Sequence, residues 1–208
     1  MRLLKRADSW IWFACVMAAA ILWSGQPDRA LAADIGYKVA VWGIPAALLL
    51  WRRGVDCKFR LRELLRGSFP WLSAVIWLCI TAAFLWTVRL ATDRSNTHTL
   101  FQWGLVEVSV TAGVVEEVAF RGWLFNRQCA QMGPIPAAIV NGVLFFLYHY
   151  PGLLLGQVAL GDISPLRVGT ILVMGIVFCL MLYRRRSLWL NMLVHSVWDI
   201  LAYLFAVA

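Results

Sequence analysis

Seven apolar runs recur along the chain, separated by short polar or basic stretches. They fall at roughly residues 10–23, 37–51, 69–90, 100–120, 136–150, 168–183 and 188–208. None has the alternating pattern of a barrel strand, and backbone groups in hydrocarbon must find hydrogen-bond partners within the protein. Each run therefore predicts a helix, and together they predict an all-α, polytopic transmembrane helix bundle with about seven spans.

Composition supports this interpretation. Of the 208 residues, 62% are hydrophobic and 14% are charged, whereas an ordinary soluble domain has about a quarter charged residues. A spanning helix needs about 20 mainly apolar residues, so the spans use nearly the whole chain. We predict a single integral membrane domain, residues 1–208, with no separate soluble domain.

The net charge of +8 reflects 19 lysines and arginines against 11 acidic residues. The cations lie between apolar runs rather than on one polar face, which favours positive-inside topology over nucleic-acid binding. With the N-terminus in the cytoplasm, every strongly basic segment falls on that side: Arg2, Lys5, Arg6, Arg52, Arg53, Lys58, Arg60, Arg62, Arg66, Arg127, Arg184, Arg185 and Arg186. The opposite loops carry only Arg29, Lys38, Arg94 and Arg167, offset by Asp28, Asp34, Asp93 and Asp162.

The short chain and tight loops are typical of a bacterial protein, so we predict a multi-pass protein of the bacterial inner membrane, in contact with lipid. The segment 52–66 alternates basic and apolar residues; it either lies on the anionic inner leaflet or forms a plain solvated loop. The first run is either a retained span, which we favour, or a signal peptide cleaved after Ala30-Leu31-Ala32. Five scattered cysteines show no metal or disulfide spacing and are interpreted as packing residues.

Charged side chains inside spanning segments are costly and usually mark function or a buried pair. They fall in three places here, at Glu116-Glu117 with Arg121, at His149, and at His195 with Asp199. Glu107 is a further candidate of lower rank.

Helical spacing predicts which of these groups meet. Residues four apart share a helix face, so Glu117 can pair with Arg121 and His195 with Asp199. Glu116 is turned about 100° from Glu117 and is left without a local partner. Such a carboxylate, facing an imidazole from another helix, is suited to act as a general base on a trapped water.

The three places also lie at similar heights. If the fourth helix continues to about Met132, Glu116 lies about 24 Å above the Gly133-Pro134 turn and His149 about 22 Å above it on the next helix. His195 lies about 14 Å above Arg186. We therefore predict that Glu116, His149 and His195 converge on one cavity.

Structural explanations exist for each group taken alone. Glu117 with Arg121 is favoured as a buried ion pair that holds helices together. His149 beside two tyrosines fits an interfacial aromatic residue, and His195 with Asp199 fits a satisfied core pair. Glu116 has the weakest structural explanation.

The three motifs together resemble the CAAX protease and bacteriocin-processing family of intramembrane endopeptidases. That family has EExxxR, then FxxxH, then HxxxN or HxxxD on successive helices, and this chain has Glu116-Glu117 with Arg121, Phe145 with His149, and His195 with Asp199 in that order. The segment 100–208 carries these motifs.

The resemblance implies that Glu116 and His149 activate a water and that His195 and Asp199 stabilise the oxyanion. It implies supporting roles for Glu117 and Arg121. Asp199 departs from the prenyl-protease pattern, which has asparagine there, because an ionised carboxylate repels an oxyanion. Asp199 is then either protonated or orients His195.

Other intramembrane protease chemistries lack their motifs, since the chain has no HExxH, no Gly-x-Ser-Gly and no spanning aspartate pair. Two histidines and a glutamate fit an activated water as well as they fit zinc; metal-free catalysis without a cofactor is favoured. The resemblance implies as substrate a protein or peptide with a hydrophobic or lipidated tail, which is either prenylated, a bacterial C-terminal sorting signal or a peptide precursor. A non-catalytic scaffold or bacteriocin-immunity factor, and a proton-coupled carrier, remain the alternatives.

Overall fold

The computed structural model describes residues 2–24, 30–53, 56–91 and 103–205, the side chains of residues 2–6 and 53 excepted. These residues form eight helices and no strand. The simple helices are α1 (Arg2–Ser24), α3 (Leu61–Arg66), α4 (Trp71–Ala91), α6 (Pro134–His149), α7 (Pro165–Arg185) and α8 (Leu188–Leu204). Helix α2 runs through Leu31–Tyr37, the π-helical Lys38–Gly43 and Ile44–Arg53, and α5 through Trp103–Glu116, the π-helical Glu117–Phe125 and Asn126–Met132.

The predicted all-α membrane bundle is confirmed, and each of the seven apolar runs corresponds to a helix. By length and composition, four helices of the described residues can cross a membrane: Ala7–Ser24, Leu31–Arg52, Trp71–Ala91 and Pro165–Arg185. Helices α6 and α8 are apolar but shorter. The count of seven spans is therefore approximate.

Two helix boundaries test the sequence interpretation. Helix α5 continues to Met132 and ends at Gly133, whose φ of 87° is in the region open to glycine, as the depth estimate assumed. Helix α2 begins at Leu31 rather than near Tyr37. The assignment of Lys38 to a loop is therefore wrong, because the polar Asp34 and Lys38 are carried on helical backbone that continues into the apolar run.

One end of the bundle gathers the basic segments. The Arg127 side chain pairs with Asp8 of α1 at 3.0 Å, and the Asn126 amide exchanges hydrogen bonds with the backbone N–H and carbonyl of Phe59, both 2.8 Å. The Arg186 guanidinium lies 5.3 Å from the centre of the Phe59 ring. These contacts bring segments far apart in sequence to one side, as positive-inside topology requires.

The segment 52–66 is docked on this end. Phe59 and Leu64 are buried in the core, and the Trp189 indole donates to the Leu65 carbonyl at 3.0 Å. The plain solvated loop is therefore wrong for these residues, because their apolar side chains close the bundle. Asp28, Arg29, Asp93 and Arg94, predicted for the opposite loops, lie outside the described residues.

Helix α1 is part of the core, to which it contributes Trp12, Phe13, Val16 and Met17. The five cysteines are free thiols. Cys129 and Cys179 are buried as packing residues, whereas Cys15 and Cys79 are exposed. Outside the spans, burial raises the pKa of the Cys57 thiol to about 12, so this cysteine stays protonated and unreactive at neutral pH.

The π-helical segment of α5 carries most of the candidate motif. A π-helix has wider turns than an α-helix, is rare in proteins and is frequently found at functional sites. Asparagine side chains complete its hydrogen bonding: the Asn141 amide donates to the Phe120 carbonyl at 3.0 Å and the Asn126 amide donates to the Gly122 carbonyl at 3.1 Å. The wider turn is thus held by side chains from inside the bundle, directly after Glu116.

Candidate active site

Glu116 is buried and has an ion-pair partner. The Lys38 ammonium donates to Glu116 Oε1 at 2.8 Å, and the other carboxylate oxygen, Oε2, lies 3.9 Å from His195 Nε2. Glu116 was predicted to have no local partner, and the partner found here is not local. Its partner comes from α2, 78 positions earlier, which helical spacing cannot reveal.

Glu117 is the centre of a second, fully buried network. Its Oε1 accepts from His195 Nδ1 at 2.8 Å and lies 3.0 Å from Arg121 Nη1. Its Oε2 accepts from the Asn191 amide at 3.0 Å, and that amide also donates to the Phe178 carbonyl at 2.8 Å. The predicted Glu117–Arg121 pair is present, and Glu117 also fixes the imidazole of His195.

Arg121 is held between aromatic rings and against the Glu117 carboxylate. Its guanidinium lies 4.1 Å from the centre of the Phe145 ring and 5.3 Å from that of Phe178. Its Nη1 lies 3.0 Å from Glu117 Oε1. Charge contact and cation–π contact therefore stabilise this cation, and the phenylalanine of the FxxxH motif has a direct structural role.

His149 is the last residue of α6. Its Nδ1 contacts the Phe145 carbonyl at 2.8 Å, which fits Nδ1–H as donor and leaves Nε2 of a neutral ring as an acceptor. Its ring is 4.5 Å from the Phe145 ring. Phe145 thus orients His149 on one side and covers Arg121 on the other.

Asp199 is the most loosely held of the predicted site residues. Its Oδ2 lies 3.7 Å from His195 Nε2, which is a charge contact too long for a hydrogen bond. The predicted His195–Asp199 pair is present in that form only. Because His195 Nδ1 is taken by Glu117, the residue that orients the imidazole is Glu117 rather than Asp199.

Three concave regions surround these groups. A central cavity of about 580 Å³ is lined by Lys38, Glu116, His149, His195 and Asp199. The structure therefore brings all four predicted catalytic residues and Lys38 to one cavity. Glu117 and Arg121 lie behind it in the core, and Glu107 is exposed away from it.

An aromatic cavity of about 370 Å³ lies beside the central cavity and is lined by Trp23, Tyr37, Trp42 and Tyr148, among others. An apolar groove of about 450 Å³ between α4 and α7 is lined by residues such as Trp77. The groove shares four lining residues with the central cavity: Phe84, Leu166, Thr170 and Trp198. It therefore connects an apolar face of the bundle to the polar groups.

Among the described residues, no three histidine, cysteine, aspartate or glutamate side chains are grouped as around a metal ion. The Nδ1 atoms of His149 and His195 each contact an oxygen of the protein. The Nε2 atoms of these two histidines are therefore the ring nitrogens available to a water or a substrate.

Residues 97–201 match the family model of Rce1-like type II CAAX prenyl endopeptidases. The chain belongs to this family. A search of curated proteins and a search of solved structures found no match. The matched segment contains every motif residue, from Glu116 to Asp199. The family is one of peptidases, and the chain has its intramembrane protease fold.

Two polar residues of the site were not predicted. Lys38 lies outside the matched segment, and its only signal was a lone cation beside an apolar run. Asn191 lies inside the last run, where a polar side chain is a recognised sign of interhelical hydrogen bonding. Sequence alone did not give their partners.

Proposed function

We propose that the chain is an intramembrane endopeptidase that cleaves a protein or peptide near a membrane-associated C-terminal tail, using a water activated by Glu116 and His149. The observation that carries the proposal is the single cavity lined by Glu116, His149, His195 and Asp199 from three helices. A shared water requires such convergence, since a general base must be within about 3 Å of the proton it removes.

In the proposed reaction, the water gives its proton to Glu116 Oε2 or to His149 Nε2, and its oxygen attacks the scissile carbonyl. The carbonyl oxygen becomes an oxyanion. Protonated His195 donates Nε2–H to it, while its Nδ1–H is held by Glu117. Breakdown of the tetrahedral intermediate breaks the C–N bond, and the proton removed from the water passes to the leaving amine. The products are a carboxylic acid and an amine.

Lys38 is a positioning residue in this scheme. Its ammonium donates to Oε1, which leaves Oε2 on the side of His195. Asp199, lying 3.7 Å from His195 Nε2, supports the charged imidazole rather than touching the oxyanion.

The substrate is proposed to carry a hydrophobic tail, either prenylated or an unprenylated bacterial sorting signal. The apolar groove supports this, because it reaches the central cavity from the apolar surface of the bundle. The proposed location is the bacterial inner membrane with the N-terminus in the cytoplasm.

Replacing Glu116 tests the proposal. Glu116→Gln keeps size and hydrogen bonding but cannot accept the water's proton, so processing should fall by about 10² to 10⁴-fold while the protein still accumulates. Processing is measured by comparing membrane proteomes for one protein whose C-terminal mass shifts.

Glu117→Gln is the matched variant on the neighbouring position. It leaves Arg121 buried without its ionic partner, a loss of about 3 to 5 kcal/mol, so its main defect should be lower abundance and a lower melting temperature. Two outcomes would favour a non-catalytic scaffold or immunity factor, in which Lys38–Glu116 is a structural ion pair. One is processing at the wild-type rate by both variants. The other is that Glu116→Gln loses processing only because the protein is degraded.

Catalysis is proposed to need no metal. The Lys38 ammonium on Glu116 would repel a zinc ion bound to the same carboxylate. A strong zinc chelator should therefore leave the wild-type rate unchanged in a processing assay, with an HExxH zinc protease as the control that loses activity. If the chelator lowers the processing rate and added zinc restores it, the Nε2 atoms of His149 and His195 would be assigned as ligands of a metal ion.

A further inference from the structure

The aromatic cavity and the central cavity meet at the proposed catalytic groups. Lys38, Glu116 and His149 line both of them. The apolar groove shares residues with the central cavity and none with the aromatic cavity. The catalytic groups therefore lie between the aromatic cavity and the part of the central cavity that continues into the apolar groove.

A peptide chain continues on both sides of the bond that is hydrolysed. When the scissile carbonyl lies at the water held by Glu116 and His149, two flanks of the substrate need space. The membrane-embedded flank fits the central cavity and the apolar groove, because these are continuous. The other flank then extends towards the aromatic cavity.

The lining of the aromatic cavity suits such a flank. Trp23 and Tyr37 are stacked with ring centres 4.4 Å apart, and Trp42 and Tyr148 meet edge to face at 4.2 Å. Apolar pockets with a few polar groups are typical of ligand sites, and this volume of about 370 Å³ is within their range.

We propose that the aromatic cavity is a substrate subsite for the flank on the far side of the scissile bond from the membrane-embedded segment. It takes a short, unlipidated peptide stretch with aromatic or large aliphatic side chains. This inference rests on the proposed function for the identity of the ligand, and its test does not depend on cleavage.

The test uses photo-crosslinking to the full-length Glu116→Gln protein in lipid nanodiscs. One probe peptide carries a prenylated cysteine followed by three residues, and a second has an anchor of about 20 apolar residues preceded by three residues. In each, one of the three flanking residues is p-benzoylphenylalanine. For the probe whose anchor the protein accepts, the adducts should map to residues that line the aromatic cavity, such as Trp23, Tyr37, Trp42 and Tyr148.

Three further substitutions, made in the same protein, locate the site. Thr111→Trp and Ala20→Phe narrow the aromatic cavity from two different helices and should each lower the adduct yield by about tenfold or more. Val110→Trp adds the same bulk to an exposed neighbour that lines none of the three cavities, and its yield should stay within about twofold.

Three outcomes would each overturn the proposed subsite. They are adducts in residues 77–84 or 166–177, no adduct from either probe, and equal adduct yields from Thr111→Trp, Ala20→Phe and Val110→Trp. Adducts in the aromatic cavity from a probe that the wild-type protein does not cut would keep the subsite and count against the proposed hydrolysis.

Discussion

At the scale of single residues, adjacent glutamates have different surroundings. Glu116 faces Lys38 and the central cavity, whereas Glu117 faces Arg121, Asn191 and His195 Nδ1. The separation follows from the rotation of about 100° per residue in a helix. One carboxylate is therefore accessible for chemistry, while the other organises the residues behind it.

Lys38 gives a prediction at this scale. Lys38→Met leaves Glu116 buried without its cation, so kcat should fall by about 10²-fold. KM should change less than kcat, because the Lys38 ammonium is bonded to Glu116 rather than free to bind substrate. Lys38→Arg keeps the charge and should restore much of the rate. The kinetics are measured on purified protein with the substrate found in the proteome comparison.

A different pattern would contradict this role. If Lys38→Met raises KM without lowering kcat, Lys38 binds substrate rather than positioning Glu116. If Lys38→Arg is no better than Lys38→Met, the side chain's shape rather than its charge is what matters.

At the scale of elements, close helix approach holds the histidine-bearing helix α6 in place. A Cβ added at Gly175 of α7 would lie 2.8 Å from the Gly142 Cα of α6, so the two backbones are nearly in contact there. Small residues at such crossings are the usual means by which membrane helices pack. Helix α6 ends at His149, and this contact therefore helps to set the position of the imidazole.

Gly175→Ala should lower the free energy of unfolding by about 1 to 3 kcal/mol through overpacking. Gly169→Ala is the control on the same helix, because a Cβ there meets nothing within 4 Å; it should be neutral or stabilise by about 0.5 to 1 kcal/mol. Thermal unfolding in detergent micelles compares the two variants. Equal melting temperatures would show that α6 and α7 separate readily at this contact.

At the scale of the whole molecule, the central cavity lies towards the end opposite the basic segments. His149 is the last residue of α6 and lies about 22 Å from the first residue of that helix, Pro134. Pro134 is next to the end of the bundle at which Arg127 pairs with Asp8. Ser164 and Arg167, where α7 begins, also line the cavity. The proposed reaction therefore occurs in the half of the membrane away from the basic end.

Positive-inside topology then gives a test. A reporter fused after Arg66 should be cytoplasmic, and one inserted after Gly156, an exposed residue in the loop between α6 and α7, should be extracytoplasmic. Reporter activity in intact cells distinguishes the two compartments. An extracytoplasmic signal after Arg66 would reverse the topology and the side on which the cavity opens.

The sequence by itself determined the helices, the membrane class and the motif residues that the central cavity brings together. Apolar runs predict helices because hydrocarbon leaves the backbone no other partners. Glu116, His149 and His195 stood out because ionisable groups in such runs are costly. The i,i+4 spacing gave the Glu117–Arg121 pair correctly because that contact is local.

Only the tertiary structure decided the partners that come from distant helices. Lys38 meets Glu116 across 78 positions and Glu117 meets His195 across another 78, and no local period encodes such contacts. For the same reason His195 was predicted to pair with its helical neighbour Asp199, whereas the shorter bond comes from Glu117. The cavities, too, exist only between packed helices, because their walls belong to segments that the chain separates.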